Sequence, residues 1–350
     1  MVAEKTTELT EDEAELYDRQ IRLWGLESQK RYEMIKQSNL SFRLRRSRVL
    51  VIGLKGFGAE LVKNIVLSGV KSVTLLDDCV VSEEDTCSQF LAPRECIGKP
   101  RAESSVSRAQ ALNPMVQVTA DTSRVEDKPD EYFANFDVVV ATECRLSELQ
   151  RINTACRERC VKFFCGDVFG MFGYTFADLQ THNFVEDVIK TVKINDDKLG
   201  RDKKVEPIKE TVKQTENFVS LSDALSVDWT FPDLKKKLEK MDYSYFLMRV
   251  LLEFREKYHR DPDPKYRNSD IQALKNLRQE VLNNLQVPEN KIPDSILGQL
   301  FAEVSPVCAI VGGVLSQEVV KTLSQKEAPH NNFFFFNPEK CCGFVETHGS

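Results

Sequence analysis

Between residues 48 and 165 the hydrophobic pattern switches repeatedly between short continuous runs and stretches with apolar residues at helical spacing. Arg48-Val-Leu-Val-Ile-Gly53 is an apolar run closed by glycine, which predicts a strand buried on both faces. After a glycine-bearing turn, Ala59 to Leu67 places Leu61 and Ile65, with Val62 and Val66 beside them, on one helical face. Ser72 to Asp77 is a second strand ending in an acid, which completes a βαβ unit. Further strands are predicted at 116–119, 136–141 and 161–165, with helices at 99–112 and 146–159 between them. Such alternation predicts an α/β, Rossmann-like fold, a mostly parallel sheet with helices on both faces.

The pattern then changes. Residues 167–179 are aromatic and punctuated by glycine, which predicts a strand or hairpin extending the sheet. From Asp187 to Asn217 there is no aromatic residue and lysines alternate with acids, so a flexible charged insertion is expected. Amphipathic helices follow at 234–258 and 270–285, joined by the turn Asp261-Pro-Asp-Pro264. A last helix at 309–323 and strands at 333–336 and 343–346 close the chain. The expected organisation is a flexible N-terminus (1–16), a Rossmann-like first part (17–186), the insertion (187–217), a helical subdomain (218–304) and a completing segment (305–350).

Composition narrows the function classes. The 350 residues carry a net charge of −6, and their pI is near 5.5, so no basic surface for nucleic acid is expected. No apolar run reaches the roughly 18–20 residues of a bilayer span, and residues 1–15 are acidic and polar, so neither a membrane nor a secretory leader is expected. Cys79, Cys87 and Cys96, and Cys156, Cys160 and Cys165, lack paired zinc-ligand spacing, so free thiols and no metal are expected.

The candidate chemistry lies at Gly53-Leu-Lys-Gly-Phe-Gly58, after a strand and at the start of a helix, where N–H groups and the helix dipole converge on phosphate. A dinucleotide loop carries glycine at the first, third and sixth places; here the third is Lys55, whose Cβ obstructs the approach of pyrophosphate. Asp77 stands where an acid holds ribose hydroxyls. The loop thus announces the fold more than a working site, and a nicotinamide-dependent oxidoreductase remains the lesser alternative.

Tyr17-Asp-Arg-Gln-Ile-Arg-Leu-Trp-Gly25, Ser305-Pro-Val-Cys-Ala-Ile-Val-Gly-Gly313 and Pro329-His-Asn-Asn-Phe-Phe-Phe-Phe336 resemble stretches of the ubiquitin-like-protein activating enzymes. The resemblance is to the small, non-thioester subunit of the SUMO-activating branch, and it runs from Tyr17 to the end. It implies a ThiF-type adenylation fold and an obligate pairing with a larger catalytic subunit. That partner would hold ATP and magnesium and supply the thioester cysteine for a SUMO-type protein. It also implies residence in the nucleus, with the cytoplasm as a second compartment. Arg19 matches the arginine that such a subunit lends in trans to its partner's ATP. The positions that bind ATP in an active subunit depart here: Cys79 interrupts an Asp-x-Asp pair, Asp85 stands for an asparagine, Ser88 for a phosphate-binding arginine and Arg101 for a lysine. Cys144 aligns with the magnesium-binding aspartate, with Glu143 one residue away. Gly53, Lys55, Gly58, Asp77, Ser88, Arg101 and Cys144 therefore read as a degenerate pocket. No catalytic cysteine is assigned, Cys308 reading as a core residue and Cys341-Cys342 lacking a base. Residues 32–42 intervene where the family runs on directly to the first strand. Two other readings share the fold: a scaffold subunit that never touches ATP, and a homodimeric sulfur-carrier adenylase.

Overall fold

The computed structural model describes residues 43–193 and 205–349. Arg19, its motif and the 32–42 insert lie outside them. Five parallel strands form the centre: β1 (Arg48–Ile52), β2 (Ser72–Leu76), β3 (Gln117–Asp121), β4 (Val138–Ala141) and β5 (Lys162–Phe169), in the order β3–β2–β1–β4–β5. β6 (Phe172–Asp178) turns back antiparallel on β5. β9 (Phe333–Asn337) and β10 (Cys342–Glu346) extend that edge antiparallel, giving eight strands in all.

The crossover helices α1 (Gly56–Leu67), α2 (Arg101–Leu112) and α3 (Leu146–Glu158) follow β1, β2 and β4. Alternate residues of β1 feed two cores. Val49 and Val51 pack with Leu61, Val62 and Ile65 of α1, while Leu50 and Ile52 join the cluster that holds Leu149 and Ile152 of α3. Each such buried aliphatic side chain contributes about 1.5–3 kcal/mol, which is why an all-apolar strand is stable only in the middle of the sheet.

The helices α4 (Leu221–Leu225), α5 (Pro232–Lys240), α6 (Ser244–Tyr258), α7 (Arg267–Asn284) and α8 (Asp294–Leu297) follow. Phe246, Leu247 and Leu251 of α6 share one core cluster with the sheet residues Leu50, Val139 and Phe163. The single helix expected at 234–258 is two. Met241 is extended, and the Asp242 carboxylate accepts the Ser244 N–H at 3.0 Å, which starts α6 afresh. The last helix, α9 (Ser305–Ser324), is long and apolar enough by length and composition to cross a membrane. It packs instead along α1, burying Val311, Leu315 and Val319, and carries the Lys321–Glu318 pair at 2.9 Å.

A flexible charged insertion is expected at 187–217. Its described parts belong to a two-stranded antiparallel ribbon, β7 (Thr181–Lys193) with β8 (Val205–Asn217). Composition argued for disorder, but the β-branched residues there (Val185, Val188, Thr191, Val192, Val205, Thr211, Val212) favour extended backbone. Phe184 and Phe218 are buried at its base.

Candidate functional site

In an open α/β sheet the crevice lies beyond the carboxyl ends of the strands where the order reverses, here between β1 and β4. The loop 53–58 runs through this crevice. Gly53 has φ +82°, and a Cβ there would stand 2.3 Å from Thr142 Oγ1. At Gly58 a Cβ would stand 2.1 Å from the Gly53 carbonyl oxygen, so glycine is what lets α1 pack closely on the β1 turn. Both glycines serve the fold, whatever becomes of the site.

Three of the loop's N–H groups are taken by the chain's own carboxylates. Leu54 N–H donates to Asp77 Oδ2 at 2.8 Å, Lys55 N–H to Glu143 Oε1 at 2.9 Å and Phe57 N–H to Glu303 Oε2 at 3.3 Å. The space above Gly56 is also filled: a Cβ there would meet Ser88 at 2.4 Å and Glu303 Oε2 at 2.9 Å. Ser88 thus lies against the loop at the place where the resemblance puts a phosphate-binding arginine.

Around the loop an ion network joins distant segments. Arg101, at the start of α2, binds Asp77 at 2.8 Å, Asp85 at 3.0 Å and Glu143 at 3.0 Å. Lys55 reaches Asp261 at 3.2 Å and Glu143 at 3.4 Å. Arg255 of α6 binds Asp261 at 2.6 Å and Asp167 at 2.7 Å. Asp167 also accepts the Glu143 N–H at 2.8 Å and the Tyr174 hydroxyl at 3.1 Å. Burial works against the charge on Arg101, yet Glu143, Asp77 and Asp85 hold its pKa above the usual value. Lys55 behaves alike: burial opposes it, while Glu143, Asp261 and Glu303 raise its pKa. Burial disfavours the Glu143 carboxylate, but Arg101 and Lys55 keep its pKa below the ordinary range.

Three cations thus face six carboxylates: Asp77, Asp85, Glu143, Asp167, Asp261 and Glu303. The cost of that excess is shared: burial and neighbouring carboxylates raise the pKa of Asp77 and Asp167, and burial and the Glu143 charge push Glu303 up to about 7. A site that cannot keep its sixth carboxylate fully ionised at neutral pH is a poor host for a triphosphate carrying several more negative charges. The residues present do not fit ATP with magnesium. Asp77, Asp78 and Cys79 place ligand atoms within 4.8 Å of one another. Asp77, however, is committed to Arg101 and to two backbone N–H groups, so no metal centre is built there.

The predicted site residues divide. Gly53, Lys55, Gly58, Asp77, Asp85, Ser88 and Arg101 converge on one crevice, and Cys79 stands at its rim, exposed, with its N–H on Asp77 Oδ1 at 2.9 Å. Cys144 does not join them. It is 3 % exposed within the apolar core beside Leu149, and Glu143 takes the place facing the loop. The reason is local: Glu143 has a left-handed φ of +60°, which aims it back across the loop and turns the next side chain inward. Cys308 is buried, 3.7 Å from Glu303 Oε2, and burial and that carboxylate raise its thiol pKa, the opposite of an activated nucleophile. Sequence reading missed Asp167, Arg255, Asp261 and Glu303. Asp261 in its Asp-Pro-Asp-Pro turn and Glu303 just ahead of the Ser-Pro helix start were the available signals.

The sequence pattern of the ThiF family matches residues 17–344, almost the whole chain. The chain belongs to the ThiF family. Similar proteins are named SUMO-activating enzyme subunit 1. That of Danio rerio is 46 % identical over 355 residues, covering 100 % of this chain and 99 % of its own. That of Xenopus tropicalis is 44 % identical over 358 residues, with 100 % of both chains covered. That of Homo sapiens is 44 % identical over 346 residues, covering 97 % of this chain and 96 % of its own. In this ThiF chain, therefore, the strand order and the crevice are kept, while the crevice is occupied by the chain's own charged side chains.

Proposed function

We propose that this chain is the smaller subunit of a heterodimeric SUMO-activating enzyme and holds no nucleotide of its own. The observation that carries the reading is the phosphate-type loop whose N–H groups are met by Asp77, Glu143 and Glu303, in a chain with full-length likeness to proteins named SUMO-activating enzyme subunit 1. In this account the larger partner binds ATP and magnesium, adenylates the C-terminal glycine of a SUMO-type protein and receives it on its own cysteine. The chain's chemical contribution is Arg19, aimed in trans at the partner's ATP. Adenylation expels pyrophosphate, and a guanidinium with its fixed donor fork stabilises the charge that develops there. The complex works in the nucleus in this reading.

The test is ATP–pyrophosphate exchange by the intact heterodimer carrying Arg19→Ala. Loss of one charged donor to the transition state predicts slowing on the order of 10²-fold. Unchanged exchange would leave the chain a scaffold that stabilises its partner without touching ATP. Robust adenylation by this chain alone would make it a homodimeric sulfur-carrier adenylase instead.

A further inference from the structure

The carboxylates that crowd the loop also tie the molecule together. Glu303 lies just ahead of α9, and its bond to the Phe57 N–H joins the start of α9 to the start of α1. Asp261 and Arg255 bring the end of α6 to Lys55 and to Asp167 of β5. Arg101 fixes α2 to the end of β2, to Asp85 and to Glu143. Resting on the reading that no nucleotide enters the crevice, we propose that the former phosphate loop serves as an internal polar clasp holding α1, α9 and the end of α6 together, with Glu303 as its proton-sensitive member.

The groups that face Glu303 come from every side. The loop supplies Lys55 and the Phe57 N–H, and the turn after β4 supplies Glu143. The turn after α6 supplies Asp261, with Arg255 behind it. Ser88 packs beside Glu303 over Gly56, and α9 presents the Cys308 thiol, which also feels Glu60 of α1. Lys55 and the N–H favour the ionised carboxylate; burial, Glu143 and Asp261 oppose it and win, which places its titration at about 7. An unfolded glutamate titrates near 4.3, as a rough reference, so the folded chain binds the extra proton between these values. Folded stability from this group is then fully present below the unfolded pKa and is lost as pH rises toward and through the folded pKa. The fold is most stable with Glu303 protonated and loses stability as it ionises, because burial and the Glu143 and Asp261 charges outweigh the Lys55 and Phe57 N–H contacts.

The experiment is urea unfolding of the full chain across about pH 5 to pH 8, comparing the native protein with Glu303→Gln, Glu143→Gln and, as a control, Glu84→Gln. Glu84 is exposed and pairs with Lys265 on the surface. Glu303→Gln removes the native decline toward pH 8 and is the more stable protein above neutrality, while Glu84→Gln keeps the native profile. Glu143→Gln moves the decline to lower pH, because it removes the charge that most opposes ionisation of Glu303. A native slope retained in Glu303→Gln overturns the proposal, and so does a decline that Glu143→Gln leaves in place; the second comparison decides should Glu303→Gln fail to fold. Titrating ATP–magnesium into the same native sample separates the two readings: saturable binding contradicts the nucleotide-free crevice, whereas a native slope retained in Glu303→Gln without such binding contradicts the clasp alone.

Discussion

Arg101 is the residue on which the crevice turns. Its side chain is 4 % exposed, and its partners Asp77 and Asp85 are 2 % and 6 % exposed, so truncating it strands buried carboxylates. Removing one partner of a buried ion network costs about 3–5 kcal/mol, because the desolvated charges lose their counter-charge. Arg101→Met is therefore expected to lower unfolding free energy by that amount in urea, and a loss below about 1 kcal/mol would mean the network is not closed as described. Lys55 keeps 36 % of its side chain exposed, so solvent screens its pairs; Lys55→Gln is expected to cost about 1 kcal/mol or less in the same assay. At this scale the sequence exposed half of the site. Lys55, Asp77 and Arg101 sit at fixed offsets from a recognisable loop and could be read. Asp167, Arg255, Asp261 and Glu303 could not, because they come from segments far along the chain, and Asp167 and Arg255 meet the loop only through Glu143 and Asp261. The choice between Glu143 and Cys144 depended on one left-handed backbone residue, which no periodicity records.

Among the elements, α9 carries two adjacent glycines with opposite roles. A Cβ on Gly312 would stand 2.8 Å from the Glu60 Cβ of α1, whereas a Cβ on Gly313 meets nothing within 4 Å. Gly312→Ala must push α9 off α1 and is expected to cost about 1–3 kcal/mol. Gly313→Ala relieves a helical glycine and is expected to stabilise the full chain by up to about 1 kcal/mol. Thermal unfolding of both variants checks the pair, and equal effects would contradict the α1–α9 packing. The sequence showed the helix but not which glycine faces a neighbour. It also concealed the β7–β8 ribbon: lysines and acids dominate there, and the β-branched residues between them become a strand signal only when their pairing partner is known.

For the whole molecule, a mostly parallel sheet with helices on both faces follows from a hydrophobic pattern that alternates strand and helix, while the order β3–β2–β1–β4–β5 comes from the structure. That much was legible before any coordinates. What the crevice does was not, because a degenerate loop reads the same whether its space is open or filled. The three-dimensional arrangement adds the filling: loop N–H groups met by Asp77, Glu143 and Glu303, and three cations against six carboxylates. The result is a ThiF fold whose own nucleotide crevice is filled by its own side chains. Calorimetric titration of ATP–magnesium into the full chain without its partner tests it most directly. A filled crevice gives no saturable binding up to millimolar nucleotide, on the order of the weakest specific affinities; one-to-one binding in the micromolar range means the crevice is open to ATP.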